Sequence, residues 1–300
     1  MSQRVANRSG KRGKKKKKPN KSLVLIIDLL LVVLLLFSLV MLTVEIVKYI
    51  RSRNTYAQLK ETAVTEVASS VNDATEDEAL EDSATEEEAA TPSLVTEEAP
   101  VTERVLSTEP GITVDWEALA KENKDVAAWL YCSGTIINYP VVLGSDNEYY
   151  IDHDFYGKTD ECGTLFFDCC TTLNETGPGN WIIYGHRRND RSMFGMLSRW
   201  GNESFLERYP VMYLLTPEHS YRVELFACRT IHAEAKYFPT YFNDGDALNA
   251  YVEKALSQSY WTTDVEVQPD DIILTMVTCN KYDVTTNPRL LLHGRLVALD

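Results

Sequence analysis

The sequence predicts a mainly β protein: a closed or nearly closed β-barrel with a few helices, carried on a single-pass membrane anchor. Three observations support this fold class. Seven short runs rich in β-branched and aromatic residues follow residue 130, bounded by Gly, Pro, Asn and Asp as strands and turns usually are. Two helical intervals interrupt these runs, and one long apolar segment precedes them all. Together they indicate a barrel with helical decoration, attached to a membrane.

The N-terminal region has the pattern of a signal anchor. Residues 1–21 contain ten Lys and Arg and no acidic residue, and the 22 residues Leu23–Val44 that follow are almost entirely apolar. As a helix these would span about 33 Å, enough for a hydrocarbon core of roughly 30 Å. A cleaved signal peptide would have a shorter apolar core and a small-residue cleavage site. We therefore predict a basic cytoplasmic tail at 1–21 and a transmembrane helix at 22–47, with the rest of the chain outside the cell.

An acidic stretch separates the predicted anchor from the folded region. Residues 55–110 contain fifteen acidic and two basic residues and few aromatic side chains. This composition buries too little apolar surface to offset the entropy of ordering, so we predict a disordered tether over 48–110. The domain predicted at 111–300 contains 27 acidic and 15 basic residues, which argues against nucleic-acid binding because that needs a basic face.

The elements of this domain follow in order. Asp115 is a predicted N-cap for a helix at 116–123, and the run DVAAWL (125–130) is read as a second short helix. Two further helices are predicted at MFGMLSRW (193–200) and DALNAYVEKALSQ (246–258). The predicted strands are 135–143, 163–168, 180–185, 209–215, 220–230, 271–279 and 289–297.

The predicted exported domain contains six cysteines. They are Cys132, Cys162, Cys169, Cys170, Cys228 and Cys279. An even number outside the cell allows disulfides, but a domain of this size folds without them, so their pairing stays open. Cys228 lies inside an apolar run and is expected to be buried. No CxxC pair or Cys/His cluster has the spacing of a zinc site, so neither a metal nor a cofactor is predicted.

Cys279 and Arg289 lie at facing ends of two predicted strands. Cys279 ends an apolar strand, a nine-residue polar loop follows, and Arg289 opens the next strand. A hairpin would bring Arg289 back toward Cys279. A guanidinium beside a thiol stabilises the thiolate and can donate hydrogen bonds to an oxyanion. Considered alone, a structural Cys and a surface Arg would be the favoured interpretation.

His186 adds the proton shuttle that a thiol nucleophile needs. It comes directly after a predicted buried strand, and Gly185 before it is read as a bend. Imidazole is the side chain best suited to proton transfer near pH 7. His293 lies in the middle of a predicted strand and fits a packed histidine better. Sequence alone does not show that His186 and Cys279, 93 residues apart, meet in space.

These motifs in this order resemble the sortases, the cysteine transpeptidases of Gram-positive cell surfaces. The resemblance lies in IIYGH (182–186), LTMVTC (274–279) and RLLLHGRLV (289–297). The longer run at 125–155, with GTLFFD and SMFGML after it, is similar to class B sortases in particular. The resemblance covers about residues 112–300. It implies a sortase-like eight-stranded β-barrel with N-terminal helices and a helix before the nucleophile strand.

The resemblance also implies residue roles. His186 becomes the general acid/base, Cys279 the nucleophile and Arg289 the transition-state clamp. Asn147, Ile151 and Tyr184 fall at family positions that line the substrate groove.

Two further positions precede the nucleophile. Thr278 matches the family motif, and its backbone is expected at the oxyanion site. Val277 departs from it, because the family usually has Thr-Leu-Ser-Thr-Cys where this chain has TMVTC. Both are expected to be part of the substrate-binding surface, without a metal.

The activity implied is cleavage of a Thr-containing sorting signal on secreted proteins, followed by transfer of the acyl group to an amine. The acceptor would be a peptidoglycan stem peptide or a pilin lysine. Two alternatives remain. One is a membrane-anchored cysteine peptidase that uses the same residues and releases its products to water. The other is a non-catalytic adhesive domain on a stalk.

Overall fold

The computed structural model describes residues 21–67, 109–173, 177–231, 238–279 and 288–299. The predicted cytoplasmic tail up to residue 20 and residues 68–108 of the predicted tether lie outside these ranges. The chain divides into two units, one ending at Arg53 and the other beginning at Asn54.

The first unit consists of most of helix α1 (Lys21–Ala63), which contains the apolar segment. Among the described residues, α1 is the one helix long and apolar enough to cross a membrane, and it is a candidate anchor by length and composition.

The beginning of the predicted tether is ordered in the structure. Helix α1 continues to Ala63 and is followed by strand β1 (Val64–Glu66), which pairs antiparallel with β2 (Ile112–Val114). The side chains of Tyr56, Leu59 and Ala63 are buried in the hydrophobic core of the second unit. Their spacing of three and four residues forms one helical stripe, which the average composition of the segment conceals.

The pairing of β1 with β2 has a consequence for the acidic segment between them. The Val67 N–H donates to the Gly111 carbonyl at 2.9 Å, so the two ends of segment 68–110 meet. The two residues that flank this segment are therefore neighbours in the second unit, within the span 48–110 over which the sequence predicted a disordered tether.

The second unit is built on a closed barrel of eight strands, as the sequence predicted. The strands are β3 (Val126–Tyr131), β4 (Asn138–Val142), β5 (Leu165–Phe167), β6 (Gly179–His186), β7 (Val211–Leu215), β8 (Ser220–Ile231), β9 (Ile272–Cys279) and β10 (Arg289–Ala298). Around the barrel the order is β10-β8-β7-β3-β4-β5-β6-β9. Two neighbouring pairs, β4 with β5 and β6 with β9, are parallel, and the remaining pairs of the barrel are antiparallel.

Helices decorate this barrel. The N-terminal helix of the domain is α2 (Trp116–Glu122), and Asp115 caps it by accepting a hydrogen bond from Ala118 N at 2.9 Å. The predicted helix before the nucleophile strand is α4 (Gly245–Ser257). The remaining helical elements are α3 (Glu203–Arg208) and 3₁₀ helices at Tyr149–Ile151 and Phe194–Gly201.

The run DVAAWL is a strand, so its interpretation as a short helix was wrong. It forms most of β3, which pairs with β4 on one side and β7 on the other. Trp129 and Leu130 are both fully buried although they point to opposite faces. A short apolar run of this kind has the same pattern in a buried strand as in a buried helix, and only its neighbours decide between them.

Candidate active site

The pairing of β6 with β9 brings the predicted base and nucleophile together. The two strands are parallel and in register over eight residue pairs, from Gly179 with Ile272 to His186 with Cys279. Because parallel strands end at the same edge of a sheet, positions 186 and 279 are neighbours at one edge of the barrel. The sequence did not show whether His186 and Cys279 meet, and the pairing of their backbones shows that they do.

Strand β10 places Arg289 at the same edge. It pairs antiparallel with β9, Leu291 opposite Val277. The Leu290 N–H donates to Thr278 Oγ1 at 2.9 Å, so the two strands stay together up to this point. If this register is continued by one residue beyond the Leu290–Thr278 contact, Arg289 comes opposite Cys279. The side chain of Arg289 is half-buried. The side chain of Cys279 and residues 280–287, including Asp283, lie outside the described part of the chain.

The imidazole of His186 is held by a backbone carbonyl. Its Nε2 lies 2.6 Å from the carbonyl oxygen of Ile151. Because a carbonyl only accepts, this contact requires a proton on Nε2 and orients the ring, and it can form in both the neutral imidazole and the imidazolium. Ile151, predicted in the substrate groove, therefore contacts the predicted base through its main chain.

Gly185 has a different role from the predicted bend, because β6 continues through it to His186. A Cβ at this position would lie 2.4 Å from Leu165 Cδ2 and 2.7 Å from Phe194 Cδ2. Glycine is required here because two side chains pack directly against the backbone that precedes His186.

Asn147 and Tyr184 meet at a carboxylate that the sequence analysis did not single out. Asp168, directly after β5, accepts hydrogen bonds at Oδ2 from Asn147 Nδ2 and from the Tyr184 hydroxyl, each at 3.0 Å. The Cys169 N–H donates to Asn147 Oδ1 at 2.8 Å. Asp168 is only 8% exposed, so this network holds two predicted groove residues in place. A lone carboxylate at the end of the apolar run GTLFFD was the available sequence signal.

The two residues before Cys279 are packing positions in this structure. Val277 is fully buried and lies in register with Tyr184 on β6 and Leu291 on β10. Thr278 is 4% exposed, and its hydroxyl accepts the hydrogen bond from β10 described above. Thr278 therefore holds together the two strand ends that carry Cys279 and Arg289.

Among the other cysteines, Cys132, Cys169, Cys170 and Cys228 carry free thiols in this structure, so no disulfide joins these four. Cys132, Cys162 and Cys228 are buried, and burial raises the pKa of Cys132 and of Cys228 to about 12. Partial desolvation, followed by the neighbouring Cys170 thiol and the Asp168 carboxylate, raises the pKa of Cys169. The thiolate is the reactive form, so the thiols of Cys132, Cys169 and Cys228 are not activated at neutral pH.

A cleft of about 370 Å³ lies elsewhere on the domain. Its lining includes Glu122, Asp125 and Asp146 together with the aromatic rings of Tyr149 and Tyr150. None of the predicted site residues lines this cleft. The candidate active site is therefore the barrel edge where His186 is paired with Cys279, and not this cleft.

Comparisons with known proteins agree with this fold. No family model matches the chain. Sortase B of Listeria monocytogenes serovar 1/2a is 34% identical over 179 residues, which is 60% of this chain and 72% of the relative. The structure of a Staphylococcus aureus sortase B–substrate complex is 29% identical, with a TM-score of 0.58, and the match covers 61% of this chain and 85% of that one. A structure of sortase B complexed with triglycine is 28% identical, with a TM-score of 0.58 over 61% of this chain and 86% of that one.

The closed barrel and these similarities define a sortase-type cysteine transpeptidase. Within that class, the chain belongs to the sortase B family.

Proposed function

We propose that this protein cleaves a Thr-containing sorting signal on secreted proteins and transfers the acyl group to an amine at the cell surface. The observation that carries this proposal is the register of His186 with Cys279 at the open end of two parallel strands, with Arg289 beside them. The acceptor is a peptidoglycan stem peptide or a pilin lysine. A relative forms a complex with triglycine, so a glycine-type primary amine is the first acceptor to test.

The reaction proceeds by two acyl transfers. The Cys279 thiolate attacks the main-chain carbonyl carbon of the threonine in the signal, and a tetrahedral oxyanion forms. As the C–N bond breaks, His186 gives a proton to the leaving amine, which departs with the C-terminal part of the signal. An acceptor amine then attacks the thioester, loses its proton to His186 and regenerates the thiolate. These steps balance in atoms and electrons without an oxidant or a metal.

Arg289 acts on the oxyanion. It opens β10 beside Cys279, so its planar guanidinium is within reach of charge that develops on the attacked carbonyl. Donors held in place before the reaction stabilise the transition state more than the substrate, and losing one typically costs about a hundredfold or more in rate. The hydroxyl of Thr278 keeps the strand that carries Arg289 in position.

The substrate groove lies beside this edge. Tyr184, two residues before His186, and Asn147 share the buried carboxylate of Asp168. Ile151 contributes its carbonyl to the His186 ring, so substrate contacts there would be felt at the base. Val277 has no exposed surface, and it influences the substrate through its register partner Tyr184.

We propose that the protein lies at the cell membrane, with its N-terminus in the cytoplasm and its catalytic domain outside. Helix α1 is the candidate anchor, and the ten basic residues of 1–21 favour this orientation.

The decisive experiment is Cys279→Ala, assayed with a sorting peptide in the presence and absence of an amine acceptor. Cleavage and transfer should both be abolished, and the fold should stay intact because the change removes little packing. Cys228→Ser and Cys162→Ala serve as matched controls and should retain substantial activity. Transfer by the Cys279→Ala protein would contradict the assignment of the nucleophile.

The acceptor separates the two enzymatic alternatives. A transpeptidase forms the amide product when the amine is present, whereas a peptidase forms only the free acid under both conditions. A non-catalytic domain would form neither product, and its Cys279 would react slowly with thiol reagents at neutral pH.

A further inference from the structure

The turn that follows β5 gathers three side chains that can ligate a metal, outside the proposed catalytic positions. The ligand atoms of Asp168, Cys169 and Cys170 all lie within 4.8 Å of one another. The Asp168 carboxylate is buried, and both thiols are exposed to solvent. The spacing rules used for the sequence miss such a group, because the two cysteines are adjacent and the third ligand is a carboxylate.

The carboxylate of this turn is already oriented by its neighbours. Its Oδ1 accepts a hydrogen bond from Cys170 N at 2.9 Å, and its Oδ2 accepts from Asn147 and Tyr184. A carboxylate oxygen has two lone pairs, so Oδ1 retains one for a further partner. Hydrogen bonds of this kind hold a ligating carboxylate in place in protein metal sites.

Both thiols of this turn are exposed, so an ion bound to them can take its remaining ligand from solvent water. In the same turn the buried hydroxyl of Thr171 has no hydrogen-bond partner within the described chain. A buried hydroxyl without a partner is uncommon.

We propose that Asp168, Cys169 and Cys170 form a binding site for a thiophilic divalent cation, with Zn²⁺ as its physiological occupant. Two thiolates and one carboxylate supply three of the four positions of a tetrahedral zinc, and water supplies the fourth. Binding replaces the two S–H protons, which pass to solvent, and involves no change of oxidation state. Binding needs no part of the proposed transpeptidase mechanism.

The hydrogen bonds of Asp168 link this site to the groove. If Tyr184 and Asn147 hold the carboxylate that ligates the ion, then replacing them weakens ion binding. Coupling between two sites is reciprocal, so the ion and a ligand held by Tyr184 and Asn147 would change each other's affinity by the same factor. The ion binding does not depend on the proposed function. Only an effect of this coupling on catalysis rests on the proposed function.

The test measures metal binding directly in the full-length chain carrying Cys279→Ala, which removes the competing nucleophile. With the thiols kept reduced by a phosphine, Zn²⁺ is titrated against a chromophoric chelator. Cd²⁺ serves as a second probe through its sulfur-to-metal charge-transfer absorption. We expect one equivalent to bind. Adding Cys169→Ser and Cys170→Ser should weaken the affinity at least about a hundredfold, because changes to the groups that merely orient a ligand already cost about ten- to a hundredfold.

Matched variants make the result specific. Adding Cys132→Ser to the same background, which changes a buried thiol, should leave the binding unchanged. Adding Tyr184→Phe, which removes one hydrogen bond to Asp168, should weaken it about tenfold. Equal affinity with and without Cys169 and Cys170 would overturn the site. Equal affinity of the Tyr184→Phe and parent proteins would overturn its link to the groove.

Discussion

Gly185→Ala is predicted to damage both stability and activity from a position that carries no side chain. The added methyl group would lie 2.4 Å from Leu165 Cδ2, and 2.7 and 2.8 Å from two ring atoms of Phe194. Leu165 and Phe194 are fully buried, so neither can move without displacing its own neighbours. Either the strand end moves or the core opens.

The magnitude follows from this geometry. Overpacking a core typically costs about 1–3 kcal/mol of unfolding free energy. In a domain of this size each kcal/mol shifts the melting temperature by roughly 2–4 °C. His186 is the next residue on the same strand, and a displacement of about 1 Å of a catalytic group can cost about a hundredfold in rate. We therefore expect kcat to fall about a hundredfold in protein that is still folded at the assay temperature.

Gly179→Ala is the matched control. It lies at the other end of β6, where the nearest atoms to an added Cβ are 3.8 Å away, which is an ordinary contact. Thermal unfolding and steady-state transpeptidation are measured for both variants in the full-length protein. If Gly185→Ala melts and turns over like Gly179→Ala, then the packing of Leu165 and Phe194 does not position His186 and the reasoning is refuted.

Three further predictions concern other parts of the site and its support. Arg289→Lys keeps the charge but loses the planar fork, so transpeptidation should slow about a hundredfold or more; a lysine that serves equally well would reduce Arg289 to a counter-charge for the thiolate. A peptide library varied around the threonine should show different preferences for wild type and Val277→Ser, because Val277 packs in register with Tyr184; identical profiles would mean that Val277 only fills the core. Burial, followed by the charge of Arg229, lowers the pKa of His293 from its ordinary value of 6.5 to about 3. The unfolded chain therefore binds more protons than the folded one between about pH 3 and 6.5, so stability should fall as pH drops through this window. His293→Gln should flatten the pH dependence of urea unfolding in that range, and an unchanged slope would contradict the assignment.

Local pattern was sufficient for several features of this protein. The apolar segment, the N-cap at Asp115 and helix α4 were predicted where the structure has them, because each depends on residues within a few positions of one another. Seven of the eight barrel strands were also predicted from local pattern, whereas the count of eight came from the family resemblance. The roles of His186, Cys279 and Arg289 came from motifs in a given order, and they remain assignments that the variants above test.

Other features depended on which segments became neighbours. DVAAWL is a strand because β4 and β7 flank it, and no property of the run itself distinguishes the two structures. The end of α1 is ordered because Tyr56, Leu59 and Ala63 find a core to enter, although the stretch around them is polar.

The site itself is a product of tertiary structure. Parallel pairing of β6 with β9 makes neighbours of His186 and Cys279, which are 93 residues apart in the sequence. This register cannot be predicted from either strand alone. Asp168 is linked to two of the predicted groove residues only because Asn147 and Tyr184 converge on it in the fold. The sequence by itself determined the kinds of chemical group this protein has and the regular elements that carry them. Their distances were decided by long-range packing, because burial and hydrogen bonding act between atoms that are close in space, wherever they lie along the chain.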